Sequence, residues 1–156
     1  MEETVIIARE MMADLLRRMG VETEVEGTLR EGDLHLEIKS DEKGILIGKH
    51  GRTVESLQVI MNRMVNKQLK NPIRVIVDVG EYKKKRIDFL TKMANRIGEN
   101  VKKTGREMHI GPFNAHDRRI IHITLKEDPS VITESFGEGE WKKMKILPSP
   151  GKVEDL

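Results

Sequence analysis

The chain has 156 residues, of which 37% are hydrophobic and 35% charged, a composition typical of a globular protein rather than a disordered tail. This length allows one ordinary domain or two compact ones. The absence of cysteine excludes disulfides, thiolate zinc sites and cysteine nucleophiles. The apolar runs are far too short to cross a bilayer and the first residues do not resemble a signal peptide, so we expect a cytoplasmic protein.

The net charge of +2 is unevenly distributed. Residues 1–80 carry 12 Lys and Arg against 14 Asp and Glu, a balance of −2, whereas residues 81–156 carry 16 against 12, a balance of +4. A basic second half favours a polyanionic partner, because local potential steers ligands more than the total charge does. Lysines that only keep a helix face solvated would give the same balance, and this alternative stays open.

The first half has a regular succession of patterns. Apolar residues at helical spacing predict a helix over residues 3–19, and period-two alternation at 21–26 and 34–38 predicts a β-hairpin. A short apolar stretch then leads through a glycine turn into an amphipathic helix that ends near Pro72. A strand rich in β-branched residues is predicted at 73–79.

The second half is predicted to begin with a long helix over residues 81–103 and a short strand at 106–110, followed by a turn at Gly111-Pro112. Asn114 and Asp117 have the spacing of a helix-capping pair, which predicts a helix at 115–126. The expected core face of the long helix consists of Ile87, Leu90, Ala94, Ile97 and Val101. Its other faces carry the cations Lys83, Lys84, Lys85, Arg86, Lys92, Arg96 and Lys102. Two strands are predicted after the second helix, at 131–136 and 141–147.

The turn Gly48-Lys49-His50-Gly51 between two predicted helices is the clearest functional motif. Its glycines allow a tight turn that a phosphodiester can approach, and backbone amides at the start of the next helix favour negative charge. The side chains of Lys49 and Arg52 add positive charge, and His50 is a further candidate for attracting phosphate. Bases are expected to lie in an aliphatic groove lined by Ile45, Ile47, Val54 and Leu57.

With its element order, this turn makes the first 80 residues resemble a type II KH domain. The resemblance implies binding of single-stranded RNA. An aromatic content of 3% is too low for the stacking sheets of an RRM or of most OB-folds.

In the second half, Arg118 and His122 are one turn apart on the predicted helix and therefore share a face, while Ile120 and Ile123 are expected to point toward a core. The stretch resembles the Arg-x-x-x-His, or R-three-H, family that binds single-stranded nucleic acid. The resemblance implies that Arg118 binds phosphate, that His122 stacks on or hydrogen-bonds to a base, and that Arg119 assists. Basic surface is expected to continue onto Lys142, Lys143 and Lys145.

A structural role for the same residues is the alternative. His122 can pack inside and orient Arg118 or the backbone without contacting a ligand, and Arg118 can likewise serve the fold. Histidines elsewhere in the chain lack the spacing of metal ligands. We therefore expect no metal site and no cofactor.

A type II KH domain followed directly by an R-three-H domain resembles the Jag family, also called the SpoIIIJ-associated protein, KhpB or EloR family. The run Glu134–Gly139 with the lysines after it is similar to the family's last hairpin. The resemblance implies an RNA-binding regulator of cell elongation, division or sporulation, with a small single-KH protein as partner. Many members begin with an N-terminal Jag domain, whereas the KH helix here is expected to begin near Glu3. The family commonly has an aromatic residue where this chain has His116, so stacking is not expected there.

The predicted fold class is α+β. A type II KH domain (α-β-β-α-α-β) is expected at residues 1–80, a small R-three-H α/β domain with a long first helix and an antiparallel sheet at 81–148, and a C-terminal tail at 149–156. The predicted RNA-binding residues are Gly48, Lys49, His50, Gly51, Arg52, Arg118, Arg119 and His122.

The predicted function is binding of single-stranded RNA, with single-stranded DNA as an alternative ligand. An adaptor that mainly engages another protein is the competing hypothesis. No catalytic residues are expected, because the sequence lacks a nucleotide-binding loop, a His-Glu-x-x-His helix and a nucleophile elbow.

Overall fold

The computed structural model describes residues 1–150, and the chain divides into two compact units, Met1–Lys83 (unit 1) and Lys84–Leu156 (unit 2). The predicted domain boundary after residue 80 and the predicted tail at 149–156 stay predictions. From residue 151 onward, that tail lies outside the described residues.

Unit 1 contains a mixed three-stranded sheet in the order β1-β2-β3, with β1 antiparallel and β3 parallel to β2. Its elements are α1 (Glu2–Arg18), β1 (Glu24–Arg30), β2 (Asp33–Lys39), α2 (Lys43–Ile47), a 3₁₀ turn (Lys49–Gly51), α3 (Arg52–Asn66) and β3 (Val75–Val79). The core lies where α1 and α3 meet one face of this sheet, and residues alternate between buried and half-buried along β2 and β3. The predicted α-β-β-α-α-β order is confirmed.

The first strand begins later than the alternation predicts, because Val21 belongs to the end of α1. The Val21 amide donates to the Leu16 carbonyl at 3.1 Å, and the Gly20 amide to the Arg17 carbonyl at 3.0 Å. Gly20 has a φ of +78°, so these bonds form a Schellman cap, which buries Val21 against the helix. β1 therefore starts at Glu24.

The outer edge of β3 and of the residues before it is covered by side chains of α3. β2 pairs with one edge of β3, and the N–H and C=O groups of alternate residues face the other edge. Carboxamides one turn apart on α3 bond to these groups at 2.6 to 3.0 Å. The pairs are Asn66 with Ile73, Asn62 with Val75, and Gln58 with Val77. We call these three side chains the amide ladder.

Unit 2 holds an antiparallel sheet in the order β4-β6-β5, packed against two helices. Its elements are α4 (Tyr82–Thr104), β4 (Met108–Phe113), α5 (Ala115–Lys126), β5 (Val131–Phe136) and β6 (Lys142–Pro148). The first two residues of α4 belong to unit 1. Leu90, Ala94, Ile97 and Val101 of α4 are buried as predicted. The long first helix and the antiparallel sheet are confirmed.

Three expectations for unit 2 are wrong. Ile87 is 42% exposed, because the buried face of α4 begins one turn later, at Leu90. Ile123 is 54% exposed, since Ile121 and Leu125 form the buried side of α5. Residues 111–112 do not end a strand: they lie inside β4, where the pairing register shifts.

Candidate nucleic-acid interface

The turn of unit 1 depends on glycine at both ends. Gly48 has a φ of +72° and Gly51 a φ of +80°, a conformation that side chains rarely adopt. There is also no room for a side chain. A Cβ on Gly48 would overlap Thr53, and a Cβ on Gly51 would lie 2.6 Å from Cε1 of Tyr82. The backbone is thus close enough to its neighbours that only glycine fits.

The predicted cations of this turn lie at the surface. Lys49, His50 and Arg52 are all exposed, and His50 is itself left-handed, with a φ of +56°. α3 begins immediately after the turn, at Arg52. Positive side chains therefore surround the N-terminus of a 15-residue helix, where the helix dipole adds to their attraction for an anion.

The predicted aliphatic groove is half wrong. Val54 and Leu57 are each only 3% exposed, because they form the buried face of α3. Ile45 is 58% exposed, and Ile47 is partly buried against the core. Of the four predicted groove residues, Ile45 and part of Ile47 are therefore the accessible ones.

In unit 2, α5 is held in place by its capping residues. The Asn114 side chain accepts a hydrogen bond from the Asp117 amide at 2.8 Å. Asp117 is 2% exposed, and its carboxylate accepts a hydrogen bond from Arg86 of α4 at 2.8 Å. Arg86, which the sequence placed on a solvated face, is thus largely buried. The helix that carries the Arg-x-x-x-His motif is fixed to α4 by a buried ion pair.

The structure brings all three predicted residues of α5 to one surface pocket of about 290 Å³. Arg118, Arg119 and His122 line it, with Ala115 of α5 and Met144 of β6. Within this lining, Arg119 and His122 are exposed to solvent and Arg118 is half-buried. His122 therefore does not pack inside, contrary to the structural alternative.

Arg118 and His122 nevertheless have partners within the protein. Arg118 donates to the carbonyls of Asn114 and Glu140, at 3.3 and 3.4 Å. Nδ1 of His122 lies 2.7 Å from Oγ1 of Thr133 on β5. These contacts orient both side chains while leaving them at the rim of the pocket. The orienting role and the binding role are therefore compatible.

Two hydroxyl residues of the pocket were missed by the sequence reasoning. Thr133 and Ser135 of β5 line it opposite α5. Their spacing in a strand places both on the face of buried Val131. That alternation is present in the sequence, but the pairing of β5 with α5 is a tertiary feature that the pattern does not contain.

The predicted extension of the basic surface is divided between the two faces of the sheet. Met144 of β6 is buried and lines the pocket, so Lys142 shares its face, whereas Lys143 and Lys145 lie on the opposite one. Nζ of Lys145 is 4.9 Å from the ring centroid of Phe136. The expected extension of the basic surface is therefore wrong for Lys143 and Lys145.

Lys83, expected among the solvated cations of the long helix, belongs to the packing of unit 1. Its Nζ donates to Oε1 of Gln58 on α3 at 2.6 Å. Burial lowers the pKa of Lys83, although nearby Asp78 opposes this shift. Its backbone amide also donates to Asp78 at 3.2 Å. Lys83, the last residue of unit 1, is therefore bonded within that unit through both its side chain and its backbone.

Comparison with known families accounts for both halves of the chain. Residues 7–79 match the family described as KhpA/KhpB, KH domain, and residues 88–148 match the R-three-H domain. The chain thus carries a KH domain of the KhpA/KhpB type followed by an R-three-H domain. The predicted resemblance is confirmed, and the motifs that carried it lie inside the matched residues.

The relatives that the chain matches are named RNA-binding protein KhpB and are longer than this chain. An RNA-binding protein KhpB of Clostridium symbiosum is 38% identical over 128 residues, covering 82% of this chain and 58% of the relative. RNA-binding protein KhpB of Lactiplantibacillus plantarum is 28% identical over 125 residues, covering 80% and 38%. The protein of that name in Bacillus subtilis is 31% identical over 111 residues, covering 70% and 53%. The chain thus spans less than two thirds of these KhpB proteins.

The expectation that the chain is not an enzyme is confirmed, since KH and R-three-H domains are RNA-binding and the KhpB relatives are named for binding. No helix within residues 1–150 is long and apolar enough to span a membrane. In the same part of the chain, no group of His, Asp and Glu is arranged to hold a metal ion.

Proposed function

We propose that this chain binds single-stranded RNA at two sites, the turn 48–52 of unit 1 and the α5 pocket of unit 2. The observation that carries the proposal is the pocket, where Arg118, Arg119 and His122 meet the hydroxyls of Thr133 and Ser135. Guanidinium groups bind phosphate, while imidazole and hydroxyl groups bond to base edges and the ribose 2′-hydroxyl.

The turn of unit 1 supplies a different kind of contact. Lys49 and His50 are exposed between its two left-handed glycines, and exposed Arg52 follows at the start of α3. Such a site grips one stretch of phosphodiester backbone, and exposed Ile45 offers an apolar contact for a base. Because both sites are on one chain, binding at one raises the effective concentration of the same RNA strand at the other.

A salt titration tests this function. We expect the affinity for a fluorescently labelled, unstructured RNA oligonucleotide to fall steeply with salt, with a log-log slope of about −0.7 for each phosphate contact. Fluorescence anisotropy measures this affinity at each salt concentration. A DNA oligonucleotide of the same sequence tests the alternative ligand, and weaker DNA binding is expected if Thr133 and Ser135 contact the 2′-hydroxyl.

A protein-protein adaptor is the second candidate, favoured by exposed apolar residues of unit 1. Val59 and Ile60 are adjacent on α3 and are 56% and 42% exposed. The family resemblance implies a small single-KH protein as partner. Apolar association depends little on ionic strength, so a complex that persists in salt that abolishes RNA binding would favour the adaptor.

The cellular role proposed is post-transcriptional regulation of elongation, division or sporulation in the cytoplasm, supported by the family resemblance. Complementation tests it. In a bacterium lacking its KhpB protein, the wild-type chain should restore normal cell length or sporulation, and a variant with Lys49 and His50 changed to Asp should not. Equal rescue by both would separate the cellular role from this turn.

A further inference from the structure

Phe89 of α4 is an exposed aromatic residue that neither candidate site uses. Its side chain is 57% exposed. All five aromatic residues lie in the described part of the chain, and the other four are buried or half-buried. The Arg86 guanidinium lies 5.6 Å from the centroid of the Phe89 ring.

Three exposed cations share this face of the helix. Lys85 is four residues before Phe89, and Lys92 and Arg96 are three and seven residues after it, which places all four on one side of α4. We call this set the α4 stripe. It lies opposite the buried residues of α4 and extends about 16 Å, at a rise of about 1.5 Å per residue.

The cations of the α4 stripe are available to a ligand. No salt bridge found within residues 1–150 involves Lys85, Lys92 or Arg96. Glu99, an acidic neighbour at the end of the stripe, lies 2.7 Å from Lys102 in an ion pair. The stripe therefore presents three positive charges around one exposed ring, with the exposed carboxylate of Asp88 beside Lys85 and Lys92.

The α4 stripe is also connected to the α5 pocket within unit 2. Arg86, next to the Phe89 ring, forms the buried ion pair with Asp117. Asp117 directly precedes Arg118, which lines the pocket. The ring and the pocket thus lie at the two ends of one short chain of contacts.

A solvated helix face accounts for the lysines but not for the ring. An exposed phenyl between cations suits a strand that carries both bases and phosphates, because every base has a face that can stack. The simpler role for Phe89 is to shield the Arg86–Asp117 pair from water. Any apolar side chain of similar size would serve that purpose, so the two roles are separable.

We propose that the α4 stripe is a third contact surface for single-stranded RNA, in which one base stacks on Phe89 and flanking phosphates contact Lys85, Lys92 and Arg96. This inference rests on the proposed function and extends it. It adds a stacking position to a protein whose other two sites bind mainly through backbone and polar groups.

Two substitutions at one position test the stacking. Phe89→Leu keeps the apolar cover and removes the ring, whereas Phe89→Tyr keeps the ring. We expect Phe89→Leu to weaken binding of the labelled RNA oligonucleotide at least about fivefold and Phe89→Tyr to bind like wild type. Wild-type affinity in Phe89→Leu, or equal weakening in both variants, would overturn the proposal.

The charges are tested by a triple variant with Lys85, Lys92 and Arg96 changed to Gln. If each contacts one phosphate, the log-log salt slope should become shallower by about 2. The matched control removes three exposed cations elsewhere, at Lys67, Lys70 and Arg106, and should change the slope much less. Equal changes in both variants would mean that only overall charge matters.

A spectroscopic measurement detects the stack directly. Phe89→Trp in a Trp141→Phe background places one tryptophan on the stripe, and stacking of a base should quench its emission when RNA binds. Unquenched emission at saturating RNA would contradict the stack. If wild-type protein binds no RNA, the proposed function itself fails; if it binds RNA independently of the stripe, only this inference fails.

Discussion

The two candidate sites are built from different parts of the chain. In unit 1 the site is a tight turn, in which two left-handed glycines, of which Gly51 is buried, flank exposed Lys49 and His50 at the start of α3. In unit 2 the site consists of side chains that α5 and β5 bring together around a pocket. The first therefore depends on local conformation, and the second on the tertiary packing of a helix against a sheet.

This difference predicts how substitutions at each site should affect RNA binding and folding. Changing the charge of the turn should abolish binding without affecting folding, since its cations are exposed. Disturbing the pocket should affect stability as well, since α5 is fixed by a buried ion pair.

The largest effect is expected from the combined substitution Lys49→Asp and His50→Asp. Two negative charges at the N-terminus of α3 would repel phosphate, and we expect no measurable RNA binding by anisotropy with an unchanged circular dichroism spectrum. Charge reversal at exposed Lys67 and Lys70 is the control and should reduce affinity only moderately. Wild-type affinity in the first variant would remove the turn from the binding mechanism.

Asp117→Ala should destabilise the fold by about 3 kcal/mol or more, because it leaves the largely buried Arg86 without its partner. Urea denaturation measures this free energy of unfolding. Adding Arg86→Met to the variant removes the unpaired charge and should restore part of the stability. If the double variant is no more stable than Asp117→Ala, the cost does not come from the buried charge.

Gly51→Ala is expected to cost about 2 to 4 kcal/mol, from the left-handed backbone and from the collision with Tyr82. Gly32→Ala is a matched control, since Gly32 has a φ of +85° but no atom lies within 4 Å of the position that a Cβ would take; it should cost only about 1 to 2 kcal/mol. Thermal or urea denaturation of the two variants compares their free energies of unfolding. Equal costs would mean that Tyr82 moves aside freely.

Arg118→Ala should weaken RNA binding about tenfold, the effect of one lost hydrogen bond to a charged group, and make the salt slope shallower by about 0.7. Arg118→Lys retains the charge but lacks the fork of donors. It should keep the slope while losing affinity. An unaltered slope in Arg118→Ala would assign this residue to the structure alone.

The smallest effect concerns pH. Hydrogen bonds from Lys102 and from the Ser130 amide lower the pKa of Asp128. The carboxylate therefore stabilises the fold above its ordinary pKa, and this contribution is lost as pH falls through the lowered value. Asp128→Asn should slightly reduce the melting temperature at neutral pH, and the difference should shrink in acid. A difference that is constant with pH would contradict this origin.

The sequence predicted features that depend on neighbouring residues. The bounds of α5 followed from the Asn114 cap, and the turn 48–51 followed from its glycines and their place between two helices. Where a prediction failed, a distant contact decided the outcome. Val54 and Leu57 face the core of unit 1 rather than a groove, and Arg86 found its partner 31 residues away.

In the pocket, too, some residues could be predicted from local sequence and others could not. Arg118 and His122 share a helix face, so the sequence predicted that half. Thr133 and Ser135 join them only because β5 lies beside α5, and no local pattern records that arrangement. In the same way, Lys83 looked like a surface cation until its contact with Gln58 was known.

The amide ladder of α3 has a consequence for association between chains. An exposed strand edge is a template on which another strand can pair, and proteins protect such edges from aggregation. Here Gln58, Asn62 and Asn66 already occupy the hydrogen-bonding groups along the outer edge of β3. An incoming strand would have to displace them, so the sheet of unit 1 can be extended only beside β1.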